Sequence, residues 1–163
     1  QRQMCIRDSE STVRPTVDMH RKMALLVEDN ELNMEIAEFL LEGEGMIVVK
    51  ASNGKEAVEK FAASEVGGFD IIFMDVMMPV MNGLDAARKI RSMTRADAQT
   101  IPVIAMTANA FQDDVQRSFE VGMNAHITKP LDINKIREAI TDVMTKNLSS
   151  QAKIDATGFG NWK

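Results

Sequence analysis

The chain has 163 residues, the size of one globular domain with a tail at either end. Its 45% hydrophobic and 26% charged content argues for a packed core and against wholesale disorder. A formal charge of −5 disfavours a nucleic-acid partner, which needs clustered Lys and Arg.

Residues 1–22 show neither helical nor strand periodicity and lack the apolar stretch of a secretory signal, so they read as an unstructured extension or linker. The lone Cys5 excludes an internal disulfide and fits a reducing, cytoplasmic setting. His20, in Asp18-Met19-His20-Arg21-Lys22, reads as a plain tail residue. Domain-like patterning starts at Met23. The apolar run Met23–Val27 predicts a strand buried on both faces. Asn30 then caps an amphipathic helix over 31–42, with Gly43 expected just beyond its end. A second strand is predicted over 46–49. Asn53 and Glu56 have capping-box spacing ahead of a helix over 54–64. A third strand over 70–74 leads through a turn to Asn82 and a helix over 83–93. Strands over 101–106 and 126–128 alternate with helices over 110–121 and 132–146, and Gly122 stands at a helix end. Residues 147–163 read as a polar tail. No apolar run reaches the roughly 20 residues that cross a bilayer, so no membrane contact is expected of this chain. Five such β–α repeats predict a three-layer, doubly wound α/β domain over 23–146, with a parallel sheet covered on both faces.

The informative polar residues stand where apolar strands end. In an open parallel sheet the C-terminal strand ends share one edge, where sites form. If the first and third strands are neighbours, Glu28, Asp29 and Asp75 converge there. The Thr107 hydroxyl and the Lys129 ammonium arrive from the fourth and fifth strands. Clustered carboxylates repel, and a hard divalent cation such as Mg²⁺ relieves that repulsion. A Lys and a Thr beside such a cation suit the oxygens of a transferring phosphoryl group. Asp75 is the natural nucleophile for an acyl phosphate. For any one of these residues an ordinary loop carboxylate or surface ion pair is an equal alternative; five of them at four strand ends weigh against it.

On these residues the chain resembles the receiver domains of two-component response regulators. The resemblance rests on Val27-Glu28-Asp29-Asn30, on Met74-Asp75-Val76-Met77-Met78-Pro79-Val80-Met81-Asn82-Gly83, on Ala105-Met106-Thr107-Ala108-Asn109, and on Thr128-Lys129-Pro130. It implies a flavodoxin-like (βα)5 fold with strand order 2-1-3-4-5. It also implies phosphorylation of Asp75, with Mg²⁺ held by Glu28, Asp29, Asp75 and the backbone carbonyl of Met77. Thr107 would be the switch hydroxyl, Lys129 the phosphoryl-binding lysine, and Pro130 would follow a cis peptide. His126 stands where the family usually has Tyr or Phe as the aromatic partner of the switch threonine. Asn30 with Asn33, and the Ala105–Ala110 stretch, are similar to receivers fused to hybrid sensor histidine kinases. A stand-alone receiver is the alternative, and a Mg²⁺-dependent aspartyl-phosphate phosphatase is disfavoured because Met77 stands where that class carries a second Asp.

The resemblance implies a histidine kinase or histidine phosphotransfer domain as phosphodonor, and a transient dimer through the fourth helix, fifth strand and fifth helix. In the family, the first-helix face and the loop after the phosphoacceptor dock the donor. At about 100° per residue, Leu32, Ile36, Phe39 and Leu40 form an arc expected to face the sheet, and Met34, Ala37 and Leu41 a second apolar arc expected to dock. Met78, Val80 and Met81 supply the loop. Thirteen Met against no Tyr is the compositional oddity, and several of them crowd around Asp75.

Overall fold

Short apolar runs and amphipathic segments resolve into alternating strands and helices, and hydrogen bonding assembles the strands into one sheet. The structure is a computed structural model and describes residues 18–78, 80–108 and 112–145, the side chains of 112–114 excepted. The elements are β1 (Met23–Val27), α1 (Glu31–Gly43), β2 (Ile47–Ala51), α2 (Gly54–Ala63) and β3 (Ile71–Asp75). They continue with α3 (Gly83–Arg91), β4 (Val103–Thr107), α4 (Gln112–Glu120) and β5 (Ala125–Thr128). A last helix, α5, covers residues 133–145.

All strand pairs are parallel, in the order β2-β1-β3-β4-β5. The central strands β3 and β4 are buried along their whole length, because helices cover both faces. On one face α1 and α5 supply Ala37, Leu41, Ile136, Ala139, Ile140 and Val143, which pack against Leu26, Phe73 and Met106. On the other, α2 and α3 supply Ala57, Phe61, Ala86, Ala87 and Ile90 over Leu25, Ile72 and Met74. Helix starts follow local chemistry. Asn30, Asn53 and Asn82 each accept the backbone N–H three residues on, satisfying a donor that the first turn would otherwise leave unpaired. Glu56 closes its box one residue earlier than expected, accepting from the N–H and hydroxyl of Ser52 rather than from the Asn53 N–H.

Several local readings are corrected by packing. Gly43 is the last residue of α1, and the left-handed residue beyond it is Gly45, φ 87°. A Cβ on Gly45 would meet His20 Nδ1 at 2.7 Å, so the close approach of residue 20 selects the second glycine. The same contact shows that the expected boundary at Met23 falls late. Met19 is buried in the core, Arg21 N–H donates to Gly45 O, and Ile47 N–H donates to Lys22 O. Residues 19–22 of the expected extension are therefore tied to the domain by Met19 and by backbone hydrogen bonds, while residues 1–17 and the expected tail at 147–163 lie outside the described residues. β4 starts at Val103 rather than Ile101, after Pro102, which has no N–H to add to the ladder.

The largest correction concerns α1. Ala37 and Leu41, expected on a docking arc, are both 1% exposed and lie in the core, and Met34 packs against the same cluster. Leu32, Ile36 and Phe39, expected to face the sheet, are exposed instead. The helix has two apolar arcs on opposite sides, and the arc with the small Ala37 is the one that lets the helix backbone approach the sheet. Met78 and Met81, expected in the docking loop, also pack against the core.

The edge that carries the strand ends is braced by Gly83. Its N–H donates to Val76 O, and a Cβ there would come within 2.2 Å of Asp75 O and 3.0 Å of Met74 Cγ. The closer of these clashes is with backbone, so β3 and α3 must separate to admit a side chain. Gly83→Ala is therefore expected to destabilise the domain by about 1–3 kcal/mol, read as a lower Tm in thermal unfolding. An unchanged Tm would show that the β3–α3 junction yields freely.

Candidate functional site

Parallel pairing in this order brings the C-terminal ends of β1, β3, β4 and β5 to one edge, with β1 and β3 adjacent. The turn after β1 presents Glu28 and Asp29. Glu28 N–H donates to Ala51 O, continuing the ladder and holding the Glu28 side chain inward, where it is 2% exposed. Asp29 is exposed beside it. Asp75 ends β3 and is 3% exposed. Thr107 ends β4 and is buried. Lys129 follows β5, and its N–H donates to Thr107 O at 2.8 Å, tying the two strand ends together. The five residues expected from the strand ends thus share one edge.

Lys129 Nζ lies 2.8 and 3.1 Å from the two Glu28 carboxylate oxygens and 3.1 Å from Asp75 Oδ2. Asp75 Oδ1 accepts the Met77 N–H at 3.3 Å. One cation therefore serves two buried carboxylates, and the pair divides its charge unequally. Burial and the adjoining Glu28 carboxylate push Asp75 up to about 8, against the pull of Lys129. Burial also works to raise Glu28, but hydrogen bonds with Asp75, Lys129 and Asn33 outweigh it and leave Glu28 below the ordinary range. Burial opposes the charge on Lys129, but its two carboxylate partners more than compensate and hold it above its usual value. The two buried carboxylates are thus pushed in opposite directions, Asp75 up and Glu28 down.

Glu28, Asp29 and Asp75 each present an oxygen, and these atoms lie within 4.8 Å of one another. Hard oxygen donors at this spacing fit a divalent cation of the Mg²⁺ type, whose charge would take over the role of the proton on Asp75. A small cavity of about 80 Å³ adjoins the pair, lined by Ile36, Met106, Pro130 and Leu131 together with Glu28, Asn33 and Lys129.

Other expected site residues fall less centrally. The Lys129–Pro130 peptide is cis. Met77 and Val80 are exposed on the loop after β3, and Val80 has φ 70°, an uncommon conformation for a β-branched residue. The His126 ring meets Phe119 edge-on at 6.3 Å between centroids, and strand register sets His126 beside Ala105, with Thr128 opposite Thr107. Two supporting residues were not read as site residues. The Asn33 side chain supports the Glu28 carboxylate. Lys135 Nζ donates to the carbonyls of Thr128 and Pro130, at 3.2 and 3.0 Å, and so clamps the backbone on both sides of Lys129. A lysine on the first turn of a polar helix face carries no periodic signal that would single it out.

The fold and this edge define a doubly wound α/β domain with an acidic cluster and a lysine at its strand ends, and comparison with known proteins places it in a family. Residues 24–141 match the response regulator receiver domain family. The chain belongs to the response regulator receiver domain family of two-component systems. It is 37% identical over 141 residues to probable histidine kinase 2 of Oryza sativa subsp. indica, covering 80% of this chain and 13% of that protein. It is 35% identical over 117 residues to hybrid signal transduction histidine kinase L of Dictyostelium discoideum, covering 71% and 7%. The chain therefore spans a small part of the length of these relatives. Among solved structures, it is similar to the receiver domain of a sensor histidine kinase from Pseudomonas aeruginosa PAO1, crystallised with a magnesium ion coordinated in the active site cleft. That match has a TM-score of 0.67 at 32% identity and covers 76% of this chain and 98% of the other.

The protonation of Asp75 has a measurable sign. Its folded value, about 8, lies above the unfolded 3.8, so between those pH values the folded state binds more protons than the unfolded one. Stability from this group is therefore full below about pH 4 and is lost as pH rises through 8. In the absence of divalent metal, Asp75→Asn should remove that loss, giving a higher Tm than wild type at pH 8 and a smaller difference at pH 5. Equal Tm differences at both pH values would contradict the raised value.

Proposed function

We propose that the domain accepts a phosphoryl group on Asp75 from a phosphohistidine of a partner protein, as the receiver segment of a hybrid sensor histidine kinase. The observation that carries this reading is the sharing of Lys129 Nζ between Glu28 and Asp75, beside a third carboxylate within metal-binding reach. Glu28, Asp29, Asp75 and the Met77 carbonyl would hold Mg²⁺. The ion, when bound, supplies positive charge that ionises Asp75 and offsets the charge of the phosphoryl oxygens.

The chain's own groups do the rest. An Asp75 oxygen attacks phosphorus, the N–P bond to the imidazole breaks, and the imidazole leaves with the bonding pair and takes a proton. Lys129, already poised at Asp75, pairs with the incoming phosphoryl oxygens. Thr107, buried at the end of β4, offers its hydroxyl to the same oxygens. Movement of Thr107 would pull the segment after β4 and shift the population of the face formed by α4, β5 and α5, which supports that face as a signalling and transient dimer surface.

Docking is assigned to the exposed arc of α1. Leu32 and Phe39 are 65% and 78% exposed, Ile36 lies between them, and the arc begins one turn from Glu28 and Asp29. Val80, held outward by its unusual backbone conformation and 80% exposed, projects from the neighbouring loop on the same edge. An apolar helix face beside the acceptor suits a helical phosphotransfer domain presenting a phosphohistidine.

With Mg²⁺ and acetyl phosphate, the intact mass should rise by one phosphoryl group, about 80 Da, and Asp75→Asn should show no rise. An adduct that survives Asp75→Asn would sink the assignment. For docking, Phe39→Ser should keep labelling by acetyl phosphate and cut the rate of transfer from a phosphorylated histidine phosphotransfer domain at least about tenfold, as truncation of a central apolar anchor does. Unaltered transfer would place the donor on another face.

A further inference from the structure

The thirteen methionines are not equivalent to solvent. Met4 lies outside the described residues, and every other methionine is buried or half-buried except Met77, which is 74% exposed. Met74, three residues earlier, is fully buried, and Met78 and Met81 pack against the core. Among the described residues, the one freely accessible thioether therefore stands on the residue whose N–H donates to Asp75 Oδ1 at 3.3 Å. We propose that Met77 is a site of reversible oxidation by hydroperoxides, and that its sulfoxide shortens the lifetime of a phosphoryl group on Asp75. The lifetime part rests on the reading of Asp75 as the acceptor.

The oxidation is a two-electron transfer. The sulfur lone pair attacks the terminal oxygen of the hydroperoxide, the O–O bond breaks, and an S–O bond forms. The proton of the transferred oxygen passes to the departing oxygen, so hydrogen peroxide is reduced to water as the sulfur is oxidised. Selectivity follows from access, since oxidation requires the peroxide to reach sulfur. The other described methionines present it behind core packing, in full or in part.

The consequence follows from a change of hydrogen-bonding character. A thioether is a weak acceptor, so Met77 offers little to orient water at the rim of the acceptor. A sulfoxide oxygen is polar and accepts strongly. Placed two residues from Asp75, it would hold a water by one O–H with its lone pair directed toward phosphorus. In hydrolysis that water attacks phosphorus, the bond from phosphorus to the Asp75 oxygen breaks, and the carboxylate is restored. The water's protons leave on inorganic phosphate or to solvent. Peroxide would thus act as an input that drains the phosphorylated state without touching the donor.

The test uses the full chain, treated with graded hydrogen peroxide and mapped by peptide mass spectrometry. The first oxygen, about 16 Da, should fall on the peptide position of Met77 well before Met74 or Met106. Treated and untreated protein would then be loaded with Mg²⁺ and acetyl phosphate, desalted, and followed by intact mass. The oxidised protein should lose its phosphoryl group several-fold faster, and methionine sulfoxide reductases should restore the slower decay. Met77→Leu, whatever its own lifetime, should decay at the same rate before and after peroxide. Oxidation spread evenly over the methionines, an unchanged lifetime after oxidation of Met77, or an equal peroxide response in Met77→Leu would each overturn the proposal. Failure of untreated protein to load any phosphoryl group would overturn the acceptor reading and the lifetime claim together, and it is told apart from the other outcomes because it appears before peroxide is added.

Discussion

The contact of Lys129 with both Glu28 and Asp75 is the interaction on which the site depends, because a single ammonium is shared between two buried carboxylates. Two buried carboxylates and one ammonium cannot all be ionised at low cost in a poorly solvated pocket. The structure answers the conflict by sharing Lys129 between the two, while burial and Glu28 raise Asp75 and hydrogen bonds lower Glu28. Additional positive charge beside Asp75 would favour its ionised form. Asp75 is therefore the carboxylate whose charge the fold opposes.

Precise placement of that contact comes from backbone rather than from long side chains. Glu28 is held by a ladder hydrogen bond from β2, and Lys129 by one to the end of β4. Lys135 fastens the carbonyls on either side of Lys129. Gly83 brings the start of α3 against the Asp75 backbone more closely than any other residue would allow. The far edge of the sheet is tied in a comparable way: Arg91 donates to the carbonyls of Ala98 and Gly122 and to the Asn124 side chain, which itself accepts the Val103 N–H. The sheet thus has a braced end opposite the chemical one, and the loop after Asp75 carries the exposed apolar tips Met77 and Val80.

Those tips account for part of the unusual composition. Methionine fills both core faces, where its unbranched chain adapts to irregular space, and several copies flank Asp75. Only packing distinguishes them. Met74 and Met78 differ from Met77 by the side of the β3–α3 turn on which each falls. The exposed arc of α1 is a parallel case, since Phe39 is a large apolar residue that the fold leaves in solvent beside the site.

Much of this protein was determined by local sequence. The βα alternation, the three asparagine caps and the strand-terminal placement of Glu28, Asp29, Asp75, Thr107 and Lys129 all follow from periodicity and turn chemistry within a few residues. Parallel pairing then gathers the five at one edge. The tertiary structure decided what a single segment cannot specify. α1 is apolar on two opposite sides, so its pattern permits two rotations, and contact of Ala37 with the sheet selects one. Gly43 and Gly45 are equal candidates for a left-handed turn until His20 packs against the second. Residues 18–22 have no periodicity of their own and are ordered by contacts with the end of α1 and the start of β2. The opposed shifts of Glu28 and Asp75 likewise exist only once burial, their mutual contact and Lys129, 101 positions from Glu28 and 54 from Asp75, act on them.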